Sequence, residues 1–443
     1  MSRHARALEQ LGIPTVAAAG ENIVKYATGY DFLYSNGMPI RYVGFPFPVA
    51  GQPKSVHHRY VFEGTDRVSG KPMMPTIVEA LTKPLTDKEK ISGDPPEAVS
   101  EPRLLPSDTE ENLQRLFKDK DWTDYLSITL PTEERVAAML KRTSHKPEEV
   151  VKTINWPGGS RALTVEKVAV CAVMSGARPE YFPLILAVAT AVPMGNSTTS
   201  MANMIVVNGP IRNELKMNYA GNAMGPHNEV NATVGRTFTL LSKTAGGLHA
   251  NVTTWSSLGS NLQYNNLCFA ENEEALPEGW DPLHVQLGLK RTDSAVTIGT
   301  GWSYISSVGE VQRSYPAQLL IRDYMRSLAG QGATIVMDPT VAALLRDTQG
   351  FKTKAELGAW LAQNVEKTIA SYVGNGVVAT SVPSLARQGL EPYATWMKSP
   401  PETLIKPFDP KSIQIVVAGG KIQTTWFATD FRLGRSVLVD SWR

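Results

Sequence analysis

The run VVNGPIRNELKMNYAGNAMGPHNEVNATVGR, Val206 to Arg236, decides the fold class. A β-branched strand beginning near Met204 breaks at Asn208-Gly209-Pro210, and a helix follows from about Asn228 with Val230, Val234, Phe238 and Leu241 at helical spacing. Strand, break and helix in that order make an α/β unit, and open α/β sheets hold ligands at the carboxyl ends of their strands. Eight asparagines fall in or beside this run, at 196, 203, 208, 213, 218, 222, 228 and 231. Asparagine tolerates left-handed backbone and caps helices, so they read either as turn chemistry or as a neutral pocket of amide groups. Gly225-Pro226-His227-Asn228 would bring free N–H groups and the positive end of the helix dipole to a point where Gly225 admits an anion. Arg212 and Arg236 are either clamps for a carboxylate or phosphate, or partners in structural ion pairs.

Downstream, LCFAENEEALPEGWDPLH (Leu267 to His284) follows a short apolar strand with a thiol, carboxylates and an imidazole in one loop. Cys268, Glu271 and His284 could supply a nucleophile and a general acid or base. The strand-like runs AVTIG, ATIVMD, IQIVVAGG, TTWFATDF and SVLVDSW continue the alternation, and the last three suggest an antiparallel finish. Helices are expected over Tyr315 to Leu328, near Val341 and over Ala355 to Ala370. Upstream, Thr164 to Gly176 and Pro179 to Val192 are apolar nearly all round, which predicts buried helices. Asp108 with Glu111 resembles a capping box, and another helix starts at Thr132. The opening residues give a helix (His4 to Gln10), a strand-like run (Ile13 to Ala19), a helix (Glu21 to Tyr26) and a second strand-like run (Ile40 to Phe45). The polar, proline-rich stretch from Ser92 to Asp108 reads as a linker. The expected organisation is a partial doubly wound α/β domain over 1–92 that lacks its first strand, a linker over 93–107, and a larger mixed α/β domain over 108–443.

Forty-four basic and 42 acidic side chains leave a formal charge of +2, so no nucleic-acid partner is expected. The longest apolar run is too short to span a bilayer, and neither a signal peptide nor a membrane partner is read at the start. Two isolated cysteines suit a reducing compartment, with the cytoplasm as the expected location. Cys171 lies in AVCAVM, a packing context, and His57-His58 reads as a surface pair. Dinucleotide, Walker, nucleophile-elbow and zincin motifs are absent from the sequence.

ARALEQLGIPTV, followed by GMPIRYVGFPFP and LTKPLT, resembles the later half of the UGSC-type domain, named for its selenocysteine or cysteine, Gly, Ser, Cys motif. VEKVAVCAVMSGARPEYFP, VVNGPIRNEL, NATVGR, FAENEE, PLHV and IVVAGG resemble the large domain of longer members of that family, which is distantly similar to the selenoprotein components of glycine and D-proline reductases. In those components a selenol or thiol cleaves a carbon–heteroatom bond. The redox motif would stand ahead of Arg3, and Ala177 occupies a position where a cysteine is expected. Carried over residue by residue, the resemblance points to Glu180, Tyr181, Asn208, Arg212, Asn231, Arg236, Cys268, Glu271, Asn272 and His284 as site residues.

The leading expectation is an enzyme, or an enzyme subunit, that makes or breaks a carbon–heteroatom bond in a small polar substrate. That substrate would lie between the Asn208/Arg212 loop, Gly225 and the Glu271/His284 loop, with a thiol- or selenol-bearing partner completing the first domain. The alternatives are a metal-dependent hydratase or hydrolase, its divalent metal held by His284, Glu271, Glu273 and His227, and a non-catalytic scaffold subunit. No other cofactor is implied.

Overall fold

The structure, a computed structural model, describes residues 2–21, 23–24, 39–47, 49, 52–90, 102–156, 159–191, 201–248, 254, 256, 258–308, 315–422 and 424–443. It is an α/β protein in which β-sheets and helices alternate along the chain. In the first unit the helix Ser2–Glu9 precedes β1 (Ala17–Gly20), which pairs in parallel with β2 (Tyr42–Phe45). Ala5, Ala17 and Ile40 are buried together, whereas Leu8, Leu11 and Ile13 face solvent. Helices Lys54–Phe62 and Met73–Thr82 pack on each other, and Arg41 ties β2 to the chain after them through Glu89 and the carbonyls of Ala80, Lys83 and Pro84. Most of the helix expected over 21–26, and of the linker, lies outside the described residues. By Arg103 the chain is bonded to Glu133 and Glu166 of the next unit.

That unit opens with helices Glu110–Asp119 and Glu133–Leu140. The first is capped by the Thr109 side chain, which accepts from the Asn112 N–H, rather than by the expected Asp108/Glu111 box. Strands β3 (Val150–Trp156) and β4 (Gly159–Thr164) form a hairpin, and β4 runs into the helix Val165–Ser175, capped by Thr164 and stopped by left-handed Gly176. This helix and Phe182–Ala191 are buried on nearly every side, as their all-round apolar sequence predicts.

The rest of the chain builds two four-stranded sheets. The strands are β5 (Ala202–Asn208), β6 (Leu267–Ala270), β7 (Ala295–Gly301), β8 (Tyr304–Val308) and β9 (Ala333–Met337). A short pair, β10 (Lys367–Thr368) with β11 (Leu404–Ile405), precedes β12 (Ile413–Val417), β13 (Thr425–Thr429) and β14 (Arg432–Leu438). The first sheet has the order β14-β7-β5-β6 and the second β8-β13-β9-β12. In each, the two strands at one end are parallel and the other pairings are antiparallel. The halves therefore share one plan, with β5, β6, β7 and β8 the counterparts of β9, β12, β13 and β14. Each half sends its last strand into the sheet of the other.

Strand alternation fixes the layers. Met204, Val206 and Phe269 of the first sheet meet Val336, Val416 and Phe427 of the second in one apolar cluster. Ile205, Val207 and Ile298 face the helices Val165–Ser175, Phe182–Ala191 and Glu229–Thr244. Ile335, Ile415 and Trp426 face Ala317–Met325, Pro339–Asp347 and Lys354–Asn364. The result is a four-layer helix, sheet, sheet, helix sandwich. Where the exchanged strands cross, Asp430 accepts the N–H groups of Trp302 and Ser303, and a Cβ on Gly301 would fall 2.7 Å from that carboxylate.

The expected antiparallel finish holds for β13, which pairs antiparallel with β8 and β9, and for β14, antiparallel with β7, but not for β12. β12 lies parallel to β9, while β13 and β14, though consecutive, belong to different sheets. The helix expected over Ala355 to Ala370 ends at Asn364 and gives way to β10.

Candidate functional site

At the carboxyl ends of β5 and β6 lies a closed polar cluster. Gly209, at φ +81°, turns the chain where a Cβ would sit 2.0 Å from the Asp293 carbonyl, so only glycine fits the exit from β5. The turn leaves Asn208 and Arg212 pointing back across the strand ends. Glu271, fully buried, accepts from Asn208 Nδ2 (2.7 Å), the Leu283 N–H (2.7 Å) and Lys354 Nζ (2.6 Å). Glu273 accepts from the Gly209 N–H (2.7 Å) and Asn208 Nδ2 (2.9 Å), with Arg212 Nε at 3.2 Å. Arg212 grips both oxygens of Glu274 and the Glu271 carbonyl, and lies over the Tyr219 ring.

His284 is 0 % exposed, its ring set between the Glu273 carboxylate, 3.9 Å from Nδ1, and the backbone of Lys290 and Arg291. Burial pushes this imidazole below its ordinary range, against the pull of Glu273 and Glu271. The folded chain keeps the ring neutral where the unfolded chain takes a proton, below about pH 6.5. Stability is therefore full above that value and falls as the pH drops toward the depressed folded value. Urea midpoints measured between about pH 5 and pH 7 should rise with pH, and His284→Leu should flatten that slope; an unchanged slope would contradict the buried neutral ring.

A cavity of about 490 Å³ opens beside the cluster, at the carboxyl ends of the other parallel pair, β9 and β12. Its walls come from Val336 to Asp338, Ala418 to Gly420, the start of β13, the loop Asn222 to Gly225, Asn231 and Ala232 of the helix Glu229–Thr244, and Leu267 and Cys268 of β6. Asp338 caps the helix Pro339–Asp347 by accepting the Thr340 and Val341 N–H groups, and also accepts the Thr425 N–H. Burial pushes its carboxyl up. Burial likewise pushes the Cys268 thiol up, to about 12, so it stands protonated at neutral pH. Asparagines knit the loop above. Asn228 Nδ2 donates to the carbonyls of Asn222 and Gly225, Asn218 donates to Asn228, and Asn222 sits at φ +62°. The turn reading of the asparagine run holds, and of these residues Asn222 and Asn231 also line the cavity, beside the Asp338 carboxyl.

The single site expected from sequence is two places joined by Asn272, whose side chain donates to the Gly419 carbonyl at the cavity wall. Asn208, Arg212, Glu271, Glu273 and His284 belong to the cluster; Gly225, Asn231 and Cys268 line the cavity. Arg236 is no anion clamp: its guanidinium holds both oxygens of Asp124 and the Ser127 carbonyl. Glu180 is exposed and Tyr181 is packed in the helical core, neither at the cavity wall. Cys171 is buried with its thiol on Thr244. Asn196 and Asn251 lie outside the described residues. Among the described residues no three His, Cys, Asp or Glu side chains stand together as a metal-holding group, and Glu271, one of the expected ligands, is held by Lys354.

Sequence reasoning missed Asp338, whose signal was present: an Asp-Pro after an apolar strand marks an N-cap and first helical residue. It also missed Lys354, for which a lysine behind the Thr353 cap gives no sign of burial. The chain matches no protein-family model, and no curated protein matches it.

Proposed function

We propose that this chain is an enzyme, or the substrate-binding subunit of one, whose small polar substrate occupies the cavity at the ends of β9 and β12. The observation that carries the reading is the place of that cavity: two parallel strands end there, a helix starts from Asp338, and a loop shaped by left-handed Asn222 covers it. The chemistry in this reading is the making or breaking of a carbon–heteroatom bond. The Asp338 carboxyl, the Cys268 thiol and the Tyr304 hydroxyl are among the protic groups at the wall, and in this reading the buried Asp338 is the acid or base. A protonated, buried Cys268 is a poor nucleophile, so the reactive thiol or selenol belongs to a partner chain, as the UGSC-type resemblance implies. The buried Glu271 cluster then acts as a buttress that sets Gly419 through Asn272.

Ala232 lines the cavity from an exposed position on its helix, so Ala232→Trp fills the cavity without entering the core. Native mass spectrometry of the protein purified from its own source should show a bound small molecule on the parent chain, and a loss of at least about tenfold in occupancy on Ala232→Trp, the scale of 1.4 kcal/mol or more. Equal occupancy on both chains would overturn the reading.

A further inference from the structure

We propose that His145 is a pH-sensitive clasp on the far end of β14: with a proton on both ring nitrogens it holds the turn Asp440–Trp442, and with one proton gone it lets that turn loosen. The inference stands apart from the cavity and from the function read for it.

The geometry of the ring carries it. His145 lies just after the helix Glu133–Leu140, and each of its nitrogens faces an oxygen that has no hydrogen to give. Nδ1 stands 2.8 Å from Glu149 Oε1, and Nε2 stands 2.8 Å from the Ser441 carbonyl. A neutral imidazole has one N–H and one lone pair, so it could make only one of these bonds and would set its lone pair against the other oxygen. The imidazolium makes both. Trp442 lies against the same ring, with centroids 4.6 Å apart, as an indole does beside a cation. The Ser441 carbonyl, and after it the Glu149 carboxylate, raise the pKa of the ring above its ordinary value, against burial. Among the described residues the charged group that meets the ring is Glu149, from its own loop. On the side of the turn, Arg443 is bonded to Asp440 and Glu214.

The clasp sits at a joint of the fold. β14 is the strand that the second half sends into the first sheet, and its pairing with β7 runs to Leu438 opposite Ala295. The chain beyond it extends that seam: the Val439 N–H donates to the Ser294 carbonyl, and Asp440 accepts the Ser294 N–H. Ser144, the neighbour of His145, bonds the Arg443 carbonyl oxygen through its N–H and its hydroxyl. Residues 144 and 145 therefore fasten the end of an exchanged strand to the loop after Glu133–Leu140, a helix that packs on Val165–Ser175. A folded pKa above the unfolded one adds stability that is whole below about pH 6.5 and is lost as the pH rises through the folded value. This is the reverse of His284, whose contribution is lost toward acid, so the two histidines bound the stable range from opposite sides.

The test is hydrogen exchange of the full chain, read by mass spectrometry on the peptides over 432–443 and corrected for the intrinsic dependence of exchange on pH. Protection of the Val439 and Trp442 amides, both hydrogen-bonded, should fall about tenfold between about pH 6 and about pH 9, the scale of one charge-assisted hydrogen bond. Glu149→Gln keeps the size of the side chain and removes its charge, so the midpoint of that fall should move to lower pH. His145→Gln does not titrate, and its protection should be low and equal at both pH values. The His145 side chain is 24 % exposed and that of Glu149 43 %, so neither change disturbs the core. Equal protection at both pH values on the parent chain would overturn the proposal, as would a fall that persists in His145→Gln. A midpoint that does not move in Glu149→Gln would remove Glu149 from the clasp, and with it the case for a doubly protonated ring.

Discussion

Lys354→Met should remove about 3–5 kcal/mol of unfolding free energy, read as a lowered urea midpoint at unchanged slope. Lys354 stands in the first turn of the helix Lys354–Asn364 and reaches from the second half of the sandwich to Glu271 at the end of β6 in the first. The ammonium is 3 % exposed and the carboxylate 0 %, so water screens neither. Without the lysine, Glu271 would keep only the neutral donors Asn208, Leu283 and Val417. A buried charge left without its counter-charge is among the few single changes that cost this much. The contrast is Arg346, paired with exposed Glu278, where Arg346→Met should change stability by under about 1 kcal/mol. Lys354→Met joined to Glu271→Gln should recover more than half of the loss, because the charge that made it costly is gone. A Lys354→Met midpoint no lower than that of Arg346→Met would show that the pair does not hold the halves together.

That lysine marks where reading the sequence stopped. The local elements were legible because their signals are local: near-continuous β-branched apolar runs for β5, β9 and β12, all-round apolarity for the buried helices, Thr164 and Gly176 at the ends of one of them. The cluster was legible in part, since Asn208 and Glu271 sit where a strand gives way to a loop, and Arg212 and His284 follow them in the same two stretches of sequence. What could not be read was which strand pairs with which. β13 and β14 look like a hairpin, yet Thr429 and Arg432 are separated only by the crossing at Asp430 and Phe431, and their partners, β9 and β7, lie far back in the chain. A two-residue connection carries the same residues whether it folds back on itself or passes between sheets. For the same reason the sequence left Arg236 open between an anion clamp and an ion pair: Asp124, which holds it, is distant in sequence.

Cutting the chain once between Val308 and Tyr315 should leave two fragments, neither of which folds its sheet alone, and mixing them should restore a cooperative unfolding transition. The exchange of last strands dictates this. The first fragment keeps β5, β6 and β7 but loses β14, and with it Val437 and Val439 from the core beneath the helices. It also loses Lys354, leaving Glu271 buried and unpaired, and β8 has no sheet to join. The second keeps β9, β12 and β13 but loses β8, and β14 has nothing to pair with. Both expose the face that the sheets share, where Met204, Val206 and Phe269 meet Val336, Val416 and Phe427. An edge strand with open N–H and C=O groups beside an uncovered apolar face is a route to aggregation rather than to a native monomer. Mixed, each fragment supplies the strand that the other lacks, so equimolar refolding should return the far-ultraviolet circular dichroism of the uncut chain and, once the entropic cost of association is allowed for, its unfolding free energy to within about 1 kcal/mol. Either fragment unfolding cooperatively by itself would mean that its own last strand had folded back into its own sheet, and that the crossing at Gly301 and Asp430 is not required to form the sandwich.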